Sequence, residues 1–445
     1  RNPLHRSIGP TSKTVFDAGG FEYDQLVLNV SGVRTYDMGL ASPLNVAAGV
    51  EVRREGYEIF AGEPDSFRFG GVLLANGTPA APGAQVFPGF RPANEVDKDR
   101  SSIGAYIDLE ANLTDQLLAS AAVRYEHFSD FGDTVTGKVA LRYDFTESFA
   151  IRGSVQSGFR APSLQQQFFA TTSTNFINGV PFDITTFPAT DPVAAALGAR
   201  PLDAEKSVNY AVGAVFRAGA FSLTVDGYRI EVDDRIVLSE NLTAANVRAF
   251  LASQGFIGIG GGRFFINGVD TETTGVDIIA NLKVPTDTMG QFAFTVGANF
   301  NDTNVTRVPA TPQLAALNPA PVLFDRVNVL TFEEGTPSSK FTGSADWTMG
   351  PFGATVRATR YGSVLSPGTT PALDITLDSA VLVDLEARWN VLENVRLTLG
   401  ADNVFDEYPT RLPPLLNGTS NTPFSNYSPF GRSGRYVYGR VSVSW

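Results

Sequence analysis

The chain has 445 residues with a formal net charge of −12, and an acidic chain without a basic patch is a poor nucleic-acid binder. It has no cysteine and only two histidines, which excludes disulfides and thiolate metal sites and leaves little material for a histidine-based triad. Charged residues make up only 18% and no apolar run reaches the roughly 18 residues of a membrane helix, so only a closed β-barrel could span a membrane.

Apolar and polar residues alternate along much of the chain, and this period of two predicts fifteen β-strands. In 103–113, for example, Ile107 and Leu109 alternate with Asp108 and Glu110. The strands are predicted at 26–34, 46–53, 103–113, 117–127, 135–143, 149–157, 208–216, 221–232, 275–282, 292–300, 341–349, 353–361, 381–391, 395–402 and 436–445.

Every second connection between these strands is longer than its neighbours. Short turns on one rim and long loops on the other are typical of outer-membrane barrels, whereas a soluble β-sandwich gives no reason for this alternation. The sequence therefore predicts an all-β, transmembrane antiparallel β-barrel with an apolar lipid face and a polar lumen. Four long connections are predicted to form the extracellular surface, namely 158–207, 233–274, 301–340 and 403–435.

Three further segments resemble those of a known family. Ser157–Leu164 reads SGFRAPSL at the end of one strand, and Asp402–Pro409 reads DNVFDEYP at the end of the penultimate strand. Leu202–Gly213 reads LDAEKSVNYAVG, although Ala204 stands where the family commonly has proline. Together with a last strand that ends on Trp445, these segments resemble the TonB-dependent outer-membrane receptors over essentially the whole chain.

The resemblance implies a barrel of about 22 strands that encloses an N-terminal plug domain. Nothing before strand 26–34 is long enough to be a plug, so we expect 26–445 to be the C-terminal part of such a barrel. An odd number of strands places the start of the first one outside, so 1–25 is expected to be an extracellular loop segment at a break. The expected partner is an N-terminal fragment that carries the plug and the remaining strands.

The resemblance also implies the function. We expect active import of a scarce solute, such as a siderophore, glycan or cobalamin-like ligand, with the TonB complex acting through the plug. The chain would lie in the outer membrane of a Gram-negative bacterium, among its lipid and lipopolysaccharide. No catalytic site, cofactor or resident metal ion is expected. The alternative is a passive porin-like channel or a structural outer-membrane barrel.

Aromatic and amide side chains in the outer loops are the candidate ligand contacts, because such mixtures suit amphipathic ligands. Plain packing of the loops explains the same pattern, and both interpretations stay open. The candidates are Arg160, Gln165, Gln166, Phe168, Phe169, Asn175, Phe176, Tyr361, Arg411 and Tyr427.

Five charged residues are predicted to face the lumen. They would line water and contact the plug, or they would contact the substrate directly. They are Arg142, Arg152, Asp384, Glu386 and Arg388.

Three weaker motifs have structural explanations that we prefer. His127 and Ser129 have the spacing of an outer-membrane phospholipase pair, but the segment around them is typical of a short outer hairpin. The acidic run 231–235 could bind calcium, although such residues are more often solvated or paired with Arg235. The segment 243–252 predicts a short loop helix capped by Thr243, followed by a flexible glycine-rich stretch.

Overall fold

The computed structural model describes residues 6–75, 77, 79–84, 88–177, 180–416 and 422–444, without the side chains of 174–183 and 415. Its strands are β1 (Gly19–Tyr36), β2 (Leu44–Ala61), β3 (Val96–Asn112), β4 (Leu117–Phe128), β5 (Gly132–Thr146), β6 (Phe149–Arg160), β7 (Thr171–Ile177), β8 (Val180–Phe187), β9 (Glu205–Ala218), β10 (Phe221–Leu238), β11 (Gly262–Thr286), β12 (Gly290–Arg307), β13 (Ser339–Met349), β14 (Phe352–Tyr361), β15 (Val364–Ser366), β16 (Ile375–Leu377), β17 (Ala380–Leu392), β18 (Val395–Asp402) and β19 (Tyr436–Val443).

The helices are short and lie in the long connections. They are α1 (Pro64–Phe67), α2 (Leu164–Phe168), α3 (Pro192–Ala196), α4 (Ala245–Ser253), α5 (Pro312–Ala315) and α6 (Arg326–Glu333). In the part of the chain that the structure describes, none of them is long and apolar enough to cross a membrane.

Fifteen of the strands form one continuous antiparallel meander, as the sequence predicted. Each of these strands pairs with the next one along the chain. Two pairings step over a hairpin in a long connection: β6 pairs with β9 across β7 and β8, and β14 pairs with β17 across β15 and β16. At the ends of the meander, the pairings recorded among the described residues join β1 only to β2 and β19 only to β18.

The two faces of the sheet differ as the period of two requires. Val139, Leu399 and Val441 lie on one face with 56%, 65% and 66% of their surfaces exposed. Their neighbours along each strand point to the other face, where charged side chains pair with one another. An apolar surface of this extent, shared by most of the strands, fits a lipid environment rather than water.

The structure corrects several predicted boundaries. β1 begins at Gly19, so residues 19–25, predicted to be loop, are strand. β10 continues to Leu238 and β11 begins at Gly262, so both ends of the predicted connection 233–274 are strand, and the extracellular position of this segment stays a prediction. Ile236 and Phe264 in these strand ends are buried against the outer connections, so the alternation that marks a membrane-facing strand is absent there. The predicted segment 403–435 matches the gap between β18 and β19, and Trp445 lies outside the described residues.

The outer connections enclose a hydrophobic core of their own, which we call the headpiece. It joins α3, α4, β8 and the outer end of β11, where residues 262–264 pair in parallel with residues 185–187. Its centre is fully buried and consists of Ala194, Leu197, Val247, Leu251 and Phe264. The predicted loop helix is confirmed as α4, but the predicted cap is wrong: Ala244 is the N-cap and no side chain caps the helix.

Candidate ligand-binding site at the outer rim

A buried ion pair fastens the loop that follows β6. The Arg100 guanidinium donates to Glu55 Oε2 through Nε at 2.9 Å and Nη2 at 2.6 Å, and its Nη1 donates to the Pro162 carbonyl oxygen at 2.7 Å. The Tyr23 hydroxyl donates to the other Glu55 oxygen at 2.6 Å. With the Arg100 side chain only 4% exposed, this contact fixes where the SGFRAPSL segment leaves the sheet.

Sequence reasoning did not find this anchor. Glu55 lies in the outer end of β2 and Arg100 in the outer end of β3, both beyond the strands that the sequence predicted. The only available signal was a pair of opposite charges in two distant segments, and such pairs are too common to predict a contact.

Four of the candidate contacts lie beside this anchor. Ser163 and Gln166 form a reciprocal cap at the start of α2, and Gln165 lies exposed on the same turn. The Phe169 ring meets Phe90 edge to face at 6.2 Å, and the Phe168 ring lies 5.7 Å from Lys98 Nζ. Phe168 and Phe169 therefore contribute to loop packing.

The same loop continues into β7, which carries Asn175 and Phe176. The side chains of these two residues lie outside the described part of the structure, so their candidate role stays a prediction.

Arg160 lies at the outer end of β6, opposite Glu205 on β9. Its Nε donates to Glu205 Oε2 at 2.9 Å, and its Nη2 also donates to the same carboxylate. The Arg160 side chain is nevertheless 58% exposed, because it borders a cavity of about 430 Å³. Arg235 lines the same cavity, and the sequence analysis had assigned that residue only to the acidic run.

Tyr361 ends β14, and Arg411 and Tyr427 lie in the connection between β18 and β19. They form a second group of candidates. The Tyr361 ring stacks on Phe430 at 6.0 Å, with Lys340 Nζ 5.1 Å from its centre. Two contacts complete the group: the Arg411 guanidinium lies 5.7 Å from the Phe424 ring, and the Tyr427 hydroxyl lies 2.9 Å from Thr331 Oγ1.

The first group lies beside the Arg100 anchor and the second on the other outer connections. That these residues contact a ligand stays a prediction.

Polar contacts tie the outer connections to one another. The Arg326 guanidinium binds both oxygens of Asp374, at 2.9 and 2.5 Å, and the side-chain hydrogen bond lowers the pKa of Asp374 to about 2. Asn328 donates to both Glu240 and Asp325. Burial, followed by the charge of Asp325, raises the pKa of Glu240.

The predicted lumen charges lie on the polar face of the sheet, and each has a protein partner. Arg152 binds Asp226 at 2.6 Å, Arg142 binds Asp144 at 2.7 Å and Arg388 binds Asp346 at 2.7 Å. Glu386 accepts from the Tyr438 hydroxyl at 2.9 Å, and Asp384 accepts from the Asn403 amide at 2.9 Å. Their contact with a plug or a substrate stays a prediction.

The hydrolase motif has other partners in the structure. His127 Nδ1 lies 2.7 Å from Asp133 Oδ1, while the Ser129 hydroxyl accepts a hydrogen bond from the Ser101 amide at 3.0 Å. A nucleophile needs its general base within hydrogen-bond reach, and these bonds turn the two side chains to different partners.

The acidic run also binds within the protein. Asp234 pairs with Arg307 at 2.5 Å, whereas Arg235 stacks on the Phe332 ring at 5.3 Å and not on the run itself. Over the residues that the structure describes, no group of three or more possible metal ligands occurs.

Comparison with known proteins gives a consistent result. A profile of the family described as "TonB dependent receptor-like, beta-barrel" matches residues 7–404. The chain is 23% identical over 328 residues to the vitamin B12 transporter BtuB of Vibrio cholerae, covering 72% of this chain and 42% of that protein. The chain thus spans less than half the length of this curated relative.

Solved structures share the fold. The siderophore receptor PirA from Acinetobacter baumannii superposes with a TM-score of 0.62 at 15% identity, over 96% of this chain and 55% of that one. A mutant of the ferric enterobactin receptor PfeA from Pseudomonas aeruginosa, in complex with enterobactin, gives 0.64 at 14% identity over the same shares.

Proposed function

Since the chain belongs to the family of TonB-dependent receptor β-barrels, we propose that the protein actively imports a scarce solute across the outer membrane of a Gram-negative bacterium. The observation that carries the proposal is the folded outer rim. Long connections on one side of the sheet pack into a headpiece and two aromatic groups above a charged inner face. A receptor needs such a rigid vestibule, whereas a passive channel needs only an open lumen.

The proposed solute is amphipathic, of the siderophore, glycan or cobalamin-like kind. The mixed aromatic and polar character of the two candidate groups supports this size and chemistry. Curated and structural relatives whose names mention vitamin B12, siderophores and enterobactin point the same way. In this proposal the chain is a receptor wall and not an enzyme.

We also propose that β1 pairs with a strand of an N-terminal fragment that carries the plug and about seven further strands. One edge of β1, 18 residues long, pairs with β2, and no pairing of the other edge occurs among the described residues. Unpaired backbone groups cost several kcal/mol each in hydrocarbon. Closure by β19 is less suitable, because an odd number of antiparallel strands makes β1 and β19 parallel.

The TonB complex would act through that plug, while the apolar outer face contacts membrane lipid and lipopolysaccharide. Native gels and N-terminal sequencing of the purified particle test the fragment: a plug-bearing polypeptide should co-purify with this one. A particle that is closed and stable without any such polypeptide refutes this part of the proposal.

Uptake in cells tests the transport function. Cells that produce the complete protein should accumulate a labelled ferric siderophore or cobalamin only when TonB is present, and cells without the protein should not. TonB-independent uptake, together with steady ion conductance of the purified protein in planar bilayers, would instead support the porin-like alternative.

A further inference from the structure

The cavity between β6, β9, β10 and α6 is enriched in positive charge. Arg160 and Arg235 line it, and Glu205 is the one carboxylate among its described lining residues. Lys206 and Phe159 also border it, but they pair with each other on the opposite face of the sheet. Its volume is about 430 Å³, and Val232, Ile236 and Phe332 are its other apolar neighbours.

The Glu205 carboxylate is already fully engaged. It accepts two hydrogen bonds from Arg160, and its Oε1 also accepts from the Ile236 amide at 2.7 Å. With a side chain only 9% exposed, Glu205 cannot turn to bind a second guanidinium. The charge of Arg235 is therefore left without a direct carboxylate partner.

Arg235 carries the most informative atom of the cavity. Its Nε is buried and has no hydrogen-bond partner among the described residues. Its guanidinium lies over the Phe332 ring at 5.3 Å, which holds the group in place without using its N–H donors. A buried charged donor without a partner costs free energy, so the Arg235 guanidinium has hydrogen-bonding capacity that the protein leaves unused.

An irregularity in the backbone next to Arg235 changes the direction of this side chain. β10 has a register shift between Val232 and Arg235, and Asp234 has a positive φ of 55°. Arg307 and Asp270 hold this bulge, since Arg307 binds Asp234 at 2.5 Å and Asp270 accepts from the Asp234 amide at 2.8 Å. Bulges of this kind re-aim a side chain and occur next to functional sites.

From these observations we infer that the cavity binds a carboxylate carried on a flat apolar group, with Arg235 as the specificity-determining residue and Arg160 beside it. A guanidinium fork matches a carboxylate in two hydrogen bonds, and the Phe332 ring and the branched side chains of Val232 and Ile236 cover the apolar part. The inference rests on the proposed function and narrows it: the imported solute contains an aromatic carboxylate.

Binding to the complete protein purified in detergent tests this inference, with three small probes measured by ligand-observed NMR. Benzoate carries the proposed chemistry, benzamide has the same shape without the charge, and inorganic phosphate has the charge without the ring. We expect saturable binding of benzoate, at least tenfold weaker binding of benzamide, and weaker binding of phosphate than of benzoate.

Two variants separate the cavity from general electrostatics. Arg235→Gln should weaken benzoate binding at least tenfold, while Arg54→Gln, which removes an equal charge from the exposed outer end of β2, should leave it unchanged. If Arg235→Gln does not assemble, Arg235→Lys keeps the charge without the fork and should weaken benzoate severalfold.

Four results would each overturn the inference. Two concern the variants and the wild type: undiminished benzoate binding in Arg235→Gln or in an assembled Arg235→Lys, and no saturable benzoate binding in the wild type. The other two concern the probes: benzamide or phosphate binding as tightly as benzoate. TonB-dependent uptake accompanied by any of these results leaves the proposed transport function intact. Loss of TonB-dependent uptake with normal benzoate binding would instead refute transport and retain the site.

Discussion

Placing an arginine on each face of β6 tests the orientation of the sheet. Val155 lies on the apolar face, 48% exposed, and pairs with Val139; the next residue, Gln156, pairs with Lys138 on the polar face. On β5, the apolar row that contains Val139 runs from Val135 to Tyr143. With a strand rise of about 3.4 Å and a tilt of about 40°, that row covers roughly 21 Å of a lipid band about 25 Å tall, so Val155 lies near its middle.

Val155→Arg should therefore cost about 2–4 kcal/mol, equivalent to roughly a 30- to 900-fold loss in the ratio of folded to unfolded protein. Gln156→Arg should change stability by no more than about 0.5 kcal/mol, because water solvates the new charge. Urea unfolding of the complete protein in lipid vesicles, followed by heat-modifiability on gels, measures both. Equal losses in the two variants, or a larger loss for Gln156→Arg, would show that the lipid and polar faces are assigned wrongly.

The remaining predictions concern the outer connections. Deletion of 165–180 should abolish high-affinity uptake while the barrel stays heat-resistant on gels; unchanged uptake would remove these residues from the ligand contacts. The folded pKa of Glu240 is raised above the ordinary 4.5, so its stabilising contribution is complete below about pH 4.5 and is lost as the pH rises from there through the raised pKa. Exchange protection in 239–261, corrected for intrinsic exchange, should therefore fall as the pH rises above 4.5 in the wild type and change less in Glu240→Gln. The pKa of Asp374 is lowered to about 2, so its stabilising contribution is present above about pH 3.8 and is lost as the pH falls toward 2. Asp374→Asn should therefore reduce amide protection in 362–379 at pH 7. Equal protection would show that the Arg326–Asp374 pair does not hold this loop.

All fifteen strands of the meander were predictable, because membrane-facing strands must alternate apolar and polar side chains. In β5, Val139 and Leu141 occupy the lipid face while Lys138 and Arg142 occupy the other. This signal reports the environment of each face rather than the strand itself. It therefore stops where loops rather than lipid cover the strand, as in the outer half of β11, where Phe264 and Val269 are fully buried.

The contacts among the loops could not be predicted for a related reason. The Arg100–Glu55 pair joins residues 45 positions apart, and Arg326 and Asp374 are 48 apart. The residues around each arginine do not indicate which carboxylate it will bind, because each pair forms only after the fold has brought the distant segments together. The α4 helix could be predicted from local sequence, but its uncapped start at Ala244 reflects how the headpiece positions the chain.

The same contrast separates the anchors of the outer rim from the residue that we propose to contact the ligand. Anchors such as Arg100 satisfy their donors within the protein, so they fix the loops without offering anything to a ligand. Arg235 is held in the opposite way, because a ring contact and a backbone bulge position it while its buried Nε has no partner among the described residues. In the proposed site this unsatisfied side chain would select the ligand, whereas its satisfied neighbours would shape the wall. Related barrels could therefore change substrate by altering a few such residues without disturbing the network that holds the loops.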